Sequence, residues 1–150
     1  MELFSIGHST RKLEDLIAVL KHYGIVQLAD VRHFPTSRHN PQFNRENLEN
    51  ELPKHGIGYF WLEKLGGFRT GGYEKYMRTK AYREGIKELL ALAKGAPTAF
   101  MCAELLWFKC HRRHISDTLV RRRHKVVHIY DEKRTQEHKL RERMRKIRCD

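Results

Sequence analysis

The chain has 150 residues, 40% apolar and 10% aromatic, which is enough for one domain with a buried core and too few for two. No apolar run nears the roughly 18–20 residues of a membrane-spanning helix, and the opening MELFSIGHSTRK lacks the blocks of an export signal, so neither a membrane nor an exported protein is expected. The odd count of 3 cysteines argues against a disulfide scaffold and for a cytoplasmic setting, while a formal net charge of +12 points to polyanionic partners.

Residues 3–6 (LFSI) are a short apolar run stopped by Gly7, the pattern of a buried strand. Thr10 is placed to cap a helix over RKLEDLIAVLKHYG, with Leu13, Leu16, Ile17 and Leu20 on one face and Gly24 at its end. Residues 25–32 (IVQLADVR) read as a second strand, followed by the loop FPTSRHNPQF and a helix from about Asn44 to His55. Residues 58–62 (GYFWL) give a third strand that leads into the glycine-rich turn LGGFRTGG. From Tyr73 to Ala93 the pattern is helical, in two pieces. Residues 97–102 (PTAFMC) make a fourth strand. Cys110 to Arg123 is a helix carrying Ile115, Leu119 and Val120 on one side, and residues 125–129 (KVVHI) are a fifth strand. The tail from Asp131 to Arg148 reads as a charged helix with a thin apolar stripe. Between Arg121 and Arg148 there are 12 basic and 4 acidic side chains, so most of the charge imbalance sits at this end. No internal repeat or low-complexity linker interrupts the chain. The expected fold is α/β: a single domain over residues 1–150, with a mostly parallel five-stranded sheet, helices on both faces, and a basic helical extension over residues 130–150.

In open α/β sheets the ligand crevice lies beyond the carboxyl ends of the strands. The residues that fall there are polar and titratable. His8 and Ser9 follow the first strand. Asp30 and Arg32 end the second, with Ser37 and Arg38 in the loop beyond. Tyr59 lies in the third, which leads to Gly67 and Arg69. Cys102 and Glu104 end the fourth, and Cys110, His111 and Arg112 start the next helix.

Each also has a purely structural reading. Asp30 and Arg32 share a strand face, because side chains alternate with period two, and could pair as a salt bridge. His8 and Ser9 could cap the following helix. Arg112 and Arg113 in a helix's first turn oppose its dipole, which suits a nearby anion but also a solvated surface. Glu104, just after a buried strand, is expected to be functional, since an unpaired buried carboxylate is costly. Seven residues separate Cys102 from Cys110, against two to four in zinc knuckles, and Cys110 and His111 are adjacent, so no metal is expected. Cys110, at a helix start beside His111 and two arginines, has the surroundings of a reactive thiol, and inert packing in a strand is the alternative for Cys102. The quartet LLWF at 105–108 either packs under a neighbouring helix or presents an aromatic ring to a base.

The stretches IGHS, LADVRHFPTSRHNPQF, GIGYFWLEKLGG, YREGI, and MCAE with CHR, in this order, resemble the DUF488 family of small bacterial and archaeal α/β proteins of unknown function. The resemblance runs to about Ile129 and implies importance for His8, Asp30, Arg32, Cys102, Glu104, Cys110, His111 and Arg112. It departs in the link LLWFK, which in the family is polar and contains proline.

The leading expectation is therefore an enzyme acting on nucleic acid (DNA or RNA) or a phosphorylated ligand, and the resemblance implies one that hydrolytically removes damaged bases. Asp30 or Glu104 would activate water or stabilise a cationic sugar. His8 or His111 would move the proton. Arg32, Arg38 and Arg112 would hold phosphate, with Ser9, Ser37, Tyr59, Arg69 and Cys102 also lining the substrate. The alternatives are a thiol enzyme with Cys110 as nucleophile and Cys102 as resolving partner, and a non-catalytic nucleic-acid binder. No cofactor is expected, and a homo-oligomer is open.

Overall fold

The structure, a computed structural model, describes residues 1–140. Strands β1 (Glu2–Gly7), β2 (Gln27–Asp30), β3 (Gly58–Trp61), β4 (Thr98–Cys102), β5 (Lys125–Ile129) and β6 (Thr135–Glu137) form one sheet in the order β3-β2-β4-β1-β5-β6. Every pairing is parallel except β5 with β6. The helices are α1 (Leu13–His22), α2 (Arg45–Glu51), α3 (Tyr73–Tyr76), α4 (Lys80–Gly95) and α5 (Arg112–Arg121).

Buried strands carry apolar residues on both faces, and the two faces build two cores. On one, Ile6, Leu28, Ala99 and Met101 meet Leu16, Ile17 and Leu20 of α1 and Leu48 of α2. On the other, Leu3, Ala29, Phe100, Cys102 and Val126 meet Ile86 and Leu89 of α4 and Ile115 and Leu119 of α5. The alternation of Ala99, Phe100, Met101 and Cys102 between these cores is the period-two rule at work.

The sheet differs from the sequence expectation at its end. It has six strands rather than five among the described residues, because Thr135–Glu137 turns back antiparallel on β5. The charged helix expected from Asp131 is therefore absent over this stretch, and its remainder from residue 141 lies outside the described residues. Chain reversal is favoured by the turn at 130–134, where the Tyr130 N–H donates to the Arg134 carbonyl at 3.0 Å.

Other differences are local. Lys12, not Thr10, occupies the α1 N-cap, and no side chain caps it. The expected 44–55 helix stops at Glu51, and Pro53 opens a separate 3₁₀ turn. The helix expected from Cys110 begins at Arg112. No helix of the described residues is long and apolar enough to cross a membrane.

Topology places the site. The connection after β1 enters α1 on one face, while the connection after the neighbouring β4 enters α5 on the other. The chain splits apart between these two strand ends, leaving a crevice there. The ladder continues one step into it: the His8 N–H donates to the Cys102 carbonyl at 2.9 Å, and the Ser9 N–H to the Ala103 carbonyl at 3.0 Å. Gly7 permits this approach, because a Cβ at that position would overlap the Glu104 carbonyl and lie 2.8 Å from Leu105 Cα. Gly7→Ala is expected to lower unfolding free energy by about 2–3 kcal/mol, as overpacking against rigid backbone does; chemical denaturation followed by circular dichroism measures it.

Candidate active site at the β1 and β4 strand ends

A cavity of about 960 Å³ opens over these strand ends, within the range of small-molecule sites. Its wall includes His8, Arg32, Cys102, Glu104, Cys110 and His111, drawn from four separate segments. Ser9 and Ser37 also line it.

The two sulfurs sit in its floor, Cys102 Sγ 2.9 Å from Cys110 Sγ, and both cysteines are free thiols. Cys102 ends β4 and is 3% exposed, whereas Cys110 precedes α5 and is half-buried. The Arg112 backbone N–H at the start of α5 donates to Cys110 Sγ at 3.3 Å, which favours negative charge there.

The thiol hydrogen that Cys102 donates pulls Cys110 down to about 4 against the opposing effect of burial, and His111 and the Arg112 charge add to it. Burial, and donation to Cys110, push Cys102 well above the usual thiol range. Of the two sulfurs, Cys110 is therefore the one that gives up its proton more readily.

Arg112 is a fully buried guanidinium. Its Nε donates to Cys102 Sγ at 3.0 Å, Nη1 to Ser5 Oγ at 2.8 Å, and Nη2 to the carbonyls of Glu104 at 2.5 Å and Leu105 at 3.2 Å. None of these acceptors is a carboxylate, so the sulfur pair is its counter-charge. The anion that the first turn of α5 seemed to invite is supplied by the protein itself, and Arg112 is not available to bind phosphate.

His111 is held by its Nε2–H, which donates to the Val31 carbonyl at 2.6 Å and leaves Nδ1 as the acceptor in the neutral ring. The glycine-rich turn is shaped around it: a Cβ on Gly67 would stand 2.8 Å from His111 Nδ1.

His8 donates from Nδ1 to the Ser9 carbonyl at 2.8 Å and stacks on Phe43. Burial lowers it to about 4, with the neighbouring Arg32 charge helping. It is neutral at pH 7 and accepts at Nε2 from Arg32 Nη1 at 3.4 Å.

Asp30 lies outside the cavity wall. It is 0% exposed, and both its oxygens are taken. Arg32 donates from Nε and Nη2 at 2.9 and 2.6 Å, and the Tyr59 hydroxyl donates at 2.5 Å. Burial and the Asp30 charge raise the Tyr59 phenol. The salt-bridge reading of Asp30 and Arg32 describes this arrangement, with Arg32 placed just beyond β2.

Glu104 is exposed at the cavity rim, its side chain accepting only the Leu106 N–H at 3.3 Å, so the premise that it is a buried carboxylate falls. Arg38 is exposed in its loop. Arg69 lies off the wall, bound to the Gly66 and Glu63 carbonyls and stacked 4.0 Å over Tyr76.

A family model for a domain of unknown function, DUF488, matches residues 12–119. The chain belongs to the DUF488 family. The match holds both cysteines, Arg112 and the Asp30–Arg32 pair, while His8 and Ser9 precede it. No curated protein and no solved structure matches the chain.

Sequence reasoning missed the cavity's aromatic rim, where Phe34 is 63% and Phe68 77% exposed. It also missed Ser5 and His138, and His128, inside the fifth strand KVVHI, was given no role. A serine and a histidine inside apolar strands were the available signal for the first and last of these, and nothing local marks His138.

The buried neutral histidines set an acid limit on stability. The folded value of His8, about 4, and that of His128, about 2, lie below 6.5, so the unfolded chain binds more protons between these values and stability falls as pH falls through that window. The denaturation midpoint is expected to drop steadily below about pH 6.5, and urea titrations across pH 7 to 4 check it; a flat profile contradicts the assignment.

Proposed function

We propose that the protein is a two-cysteine thiol enzyme in which Cys110 attacks as a thiolate and Cys102 resolves the covalent intermediate. The observation that carries this reading is the sulfur pair, 2.9 Å apart in the cavity floor, with the less buried sulfur at a helix start and a buried guanidinium on the other. Of the common electrophiles, a disulfide makes use of both sulfurs.

Cys110 displaces one thiolate from the substrate disulfide and becomes joined to the other half. Cys102 then gives up its proton and attacks Cys110 Sγ, expelling the second thiolate and leaving a Cys102–Cys110 disulfide. The substrate gains two electrons and leaves as one thiol, which carries the Cys102 proton, and one thiolate, which takes its proton from solvent. An external dithiol returns the pair to its reduced form. Arg112 Nε, already on Cys102 Sγ, stabilises the resolving thiolate as it forms.

Iodoacetamide is expected to alkylate Cys110 well below pH 7, and Cys110→Ser to abolish dithiothreitol-driven reduction of a model disulfide. Cys102→Ser should leave a trapped mixed disulfide visible by mass spectrometry. Retained turnover in Cys110→Ser would falsify the proposal.

The charge supports a second reading, an enzyme or binder acting on nucleic acid or another phosphorylated ligand. The net charge is +12, and the cavity wall carries Arg32, Lys109 and Arg113 against the single carboxylate of Glu104. In that reading Glu104 does the hydrolytic work, since Asp30 is committed to Arg32 and Tyr59. Oligonucleotide affinity should then fall steeply with salt, and Glu104→Gln should stop base release from modified oligonucleotides while binding persists. Affinity indifferent to salt would sink this second reading.

A further inference from the structure

Behind the sulfur pair lies a second polar group that thiol exchange does not consume. Ser5 Oγ is 2.6 Å from His128 Nδ1, His128 Nε2 is 2.9 Å from His138 Nδ1, and His138 Nε2 is 2.7 Å from Asp117 Oδ1. Ser5 and His128 are direct partners across β1 and β5. His138 follows β6, and Asp117 lies on α5, the helix that also carries Arg112. Arg112 Nη1, donating to Ser5 Oγ at 2.8 Å, joins this series to the thiols.

The polarity of the series is decided from its ends. A guanidinium only donates, so Ser5 Oγ accepts there and gives its own hydrogen to His128 Nδ1. An ionised carboxylate only accepts, so His138 Nε2 donates to Asp117, and its other nitrogen shares a hydrogen with His128 Nε2. Five groups thus form one hydrogen-bonded series from the buried cation of Arg112 to the Asp117 carboxylate. Burial, then the adjacent His138 and Arg112, lower His128 to about 2, in keeping with a ring that stays neutral.

Two other roles fail on the geometry. Ser5 is 0% exposed with its oxygen taken on both sides, so it is no nucleophile. Arginine does not give up its proton in proteins, so the chain cannot carry protons to the sulfurs. What remains is orientation. The Trp107 ring covers the chain, stacked 4.4 Å from His128 at 4° and edge-on to His138 at 4.9 Å.

We infer that Ser5, His128, His138 and Asp117 are positioning residues whose chain holds the Arg112 guanidinium against Cys102 Sγ and thereby sets the reactivity of Cys110. The inference rests on the thiol reading of the site. The charged and titratable groups that face the sulfurs are Arg112 from α5, His111 at its N-cap and Tyr73 from α3.

The test is the pH profile of Cys110 alkylation by iodoacetamide, in a Cys149→Ser background, for the parent protein, Ser5→Ala and Asp117→Asn, with thermal midpoints recorded alongside. Both variants are expected to move the alkylation midpoint up by about one pH unit, which is about tenfold in rate on the acid limb. Asp117→Asn discriminates by sign. Removing a carboxylate by direct electrostatics makes a nearby thiol more acidic, so an upward shift arises only through a loosened Arg112. If Ser5→Ala does not fold, Asp117→Asn, at a side chain 16% exposed, carries the test. A midpoint that stays put or falls in Asp117→Asn overturns the inference and leaves the thiol reading standing. A parent midpoint near the ordinary thiol value sinks both.

Discussion

A guanidinium buried without a carboxylate is the constraint on which the rest of this site depends. Arg112 is fully buried, and its donors end on a sulfur, a hydroxyl and two carbonyls. An uncompensated charge in such a place is prohibitively costly. The compensation comes from the cysteine pair, which keeps a negative charge because the cation is there. Cation and thiolate therefore support each other, and neither is separable from the strand ends that bring them together. The same guanidinium also ties down the 104–105 backbone, so the loop over the cavity and the charge in its floor have one anchor.

A second buried pair, Asp30 with Arg32, does a different job. Its hydrogen bonds run to Tyr59 on β3 and to the Phe43 carbonyl before α2, binding the far side of the sheet to the connection after β2. Fully satisfied, it gives orientation more than net stability. Only Arg32 Nη1 is left facing the cavity, toward His8. Two arginine clusters thus flank the β1 and β4 ends, one committed to sulfur and one to carboxylate.

The segment LLWF divides between two roles. Leu105 and Phe108 stay exposed at the cavity. Trp107 turns inward and closes the histidine chain from solvent. Trp107 covers imidazoles that lie next to one another only in the folded sheet, so packing under a helix does not describe it.

From the sequence alone, apolar periodicity determined the α/β class, five of the six strands and the strand ends where titratable residues gather. Those features follow from local pattern, since a strand that is buried on both faces must read as an apolar run. The pattern could not say that Thr135–Glu137 pairs with β5, because three exposed residues carry no burial signal of their own. Nor could it rank Asp30, Glu104 and Cys110, whose chemistry depends on what stands beside them. Asp30 is held by Arg32 and Tyr59, and Glu104 stands exposed at the cavity rim. Cys110 stands beside a thiol eight residues away, and that thiol meets a guanidinium tied to Ser5, 107 positions distant. Protonation and availability are set by neighbours in space, and only the tertiary structure decides who they are.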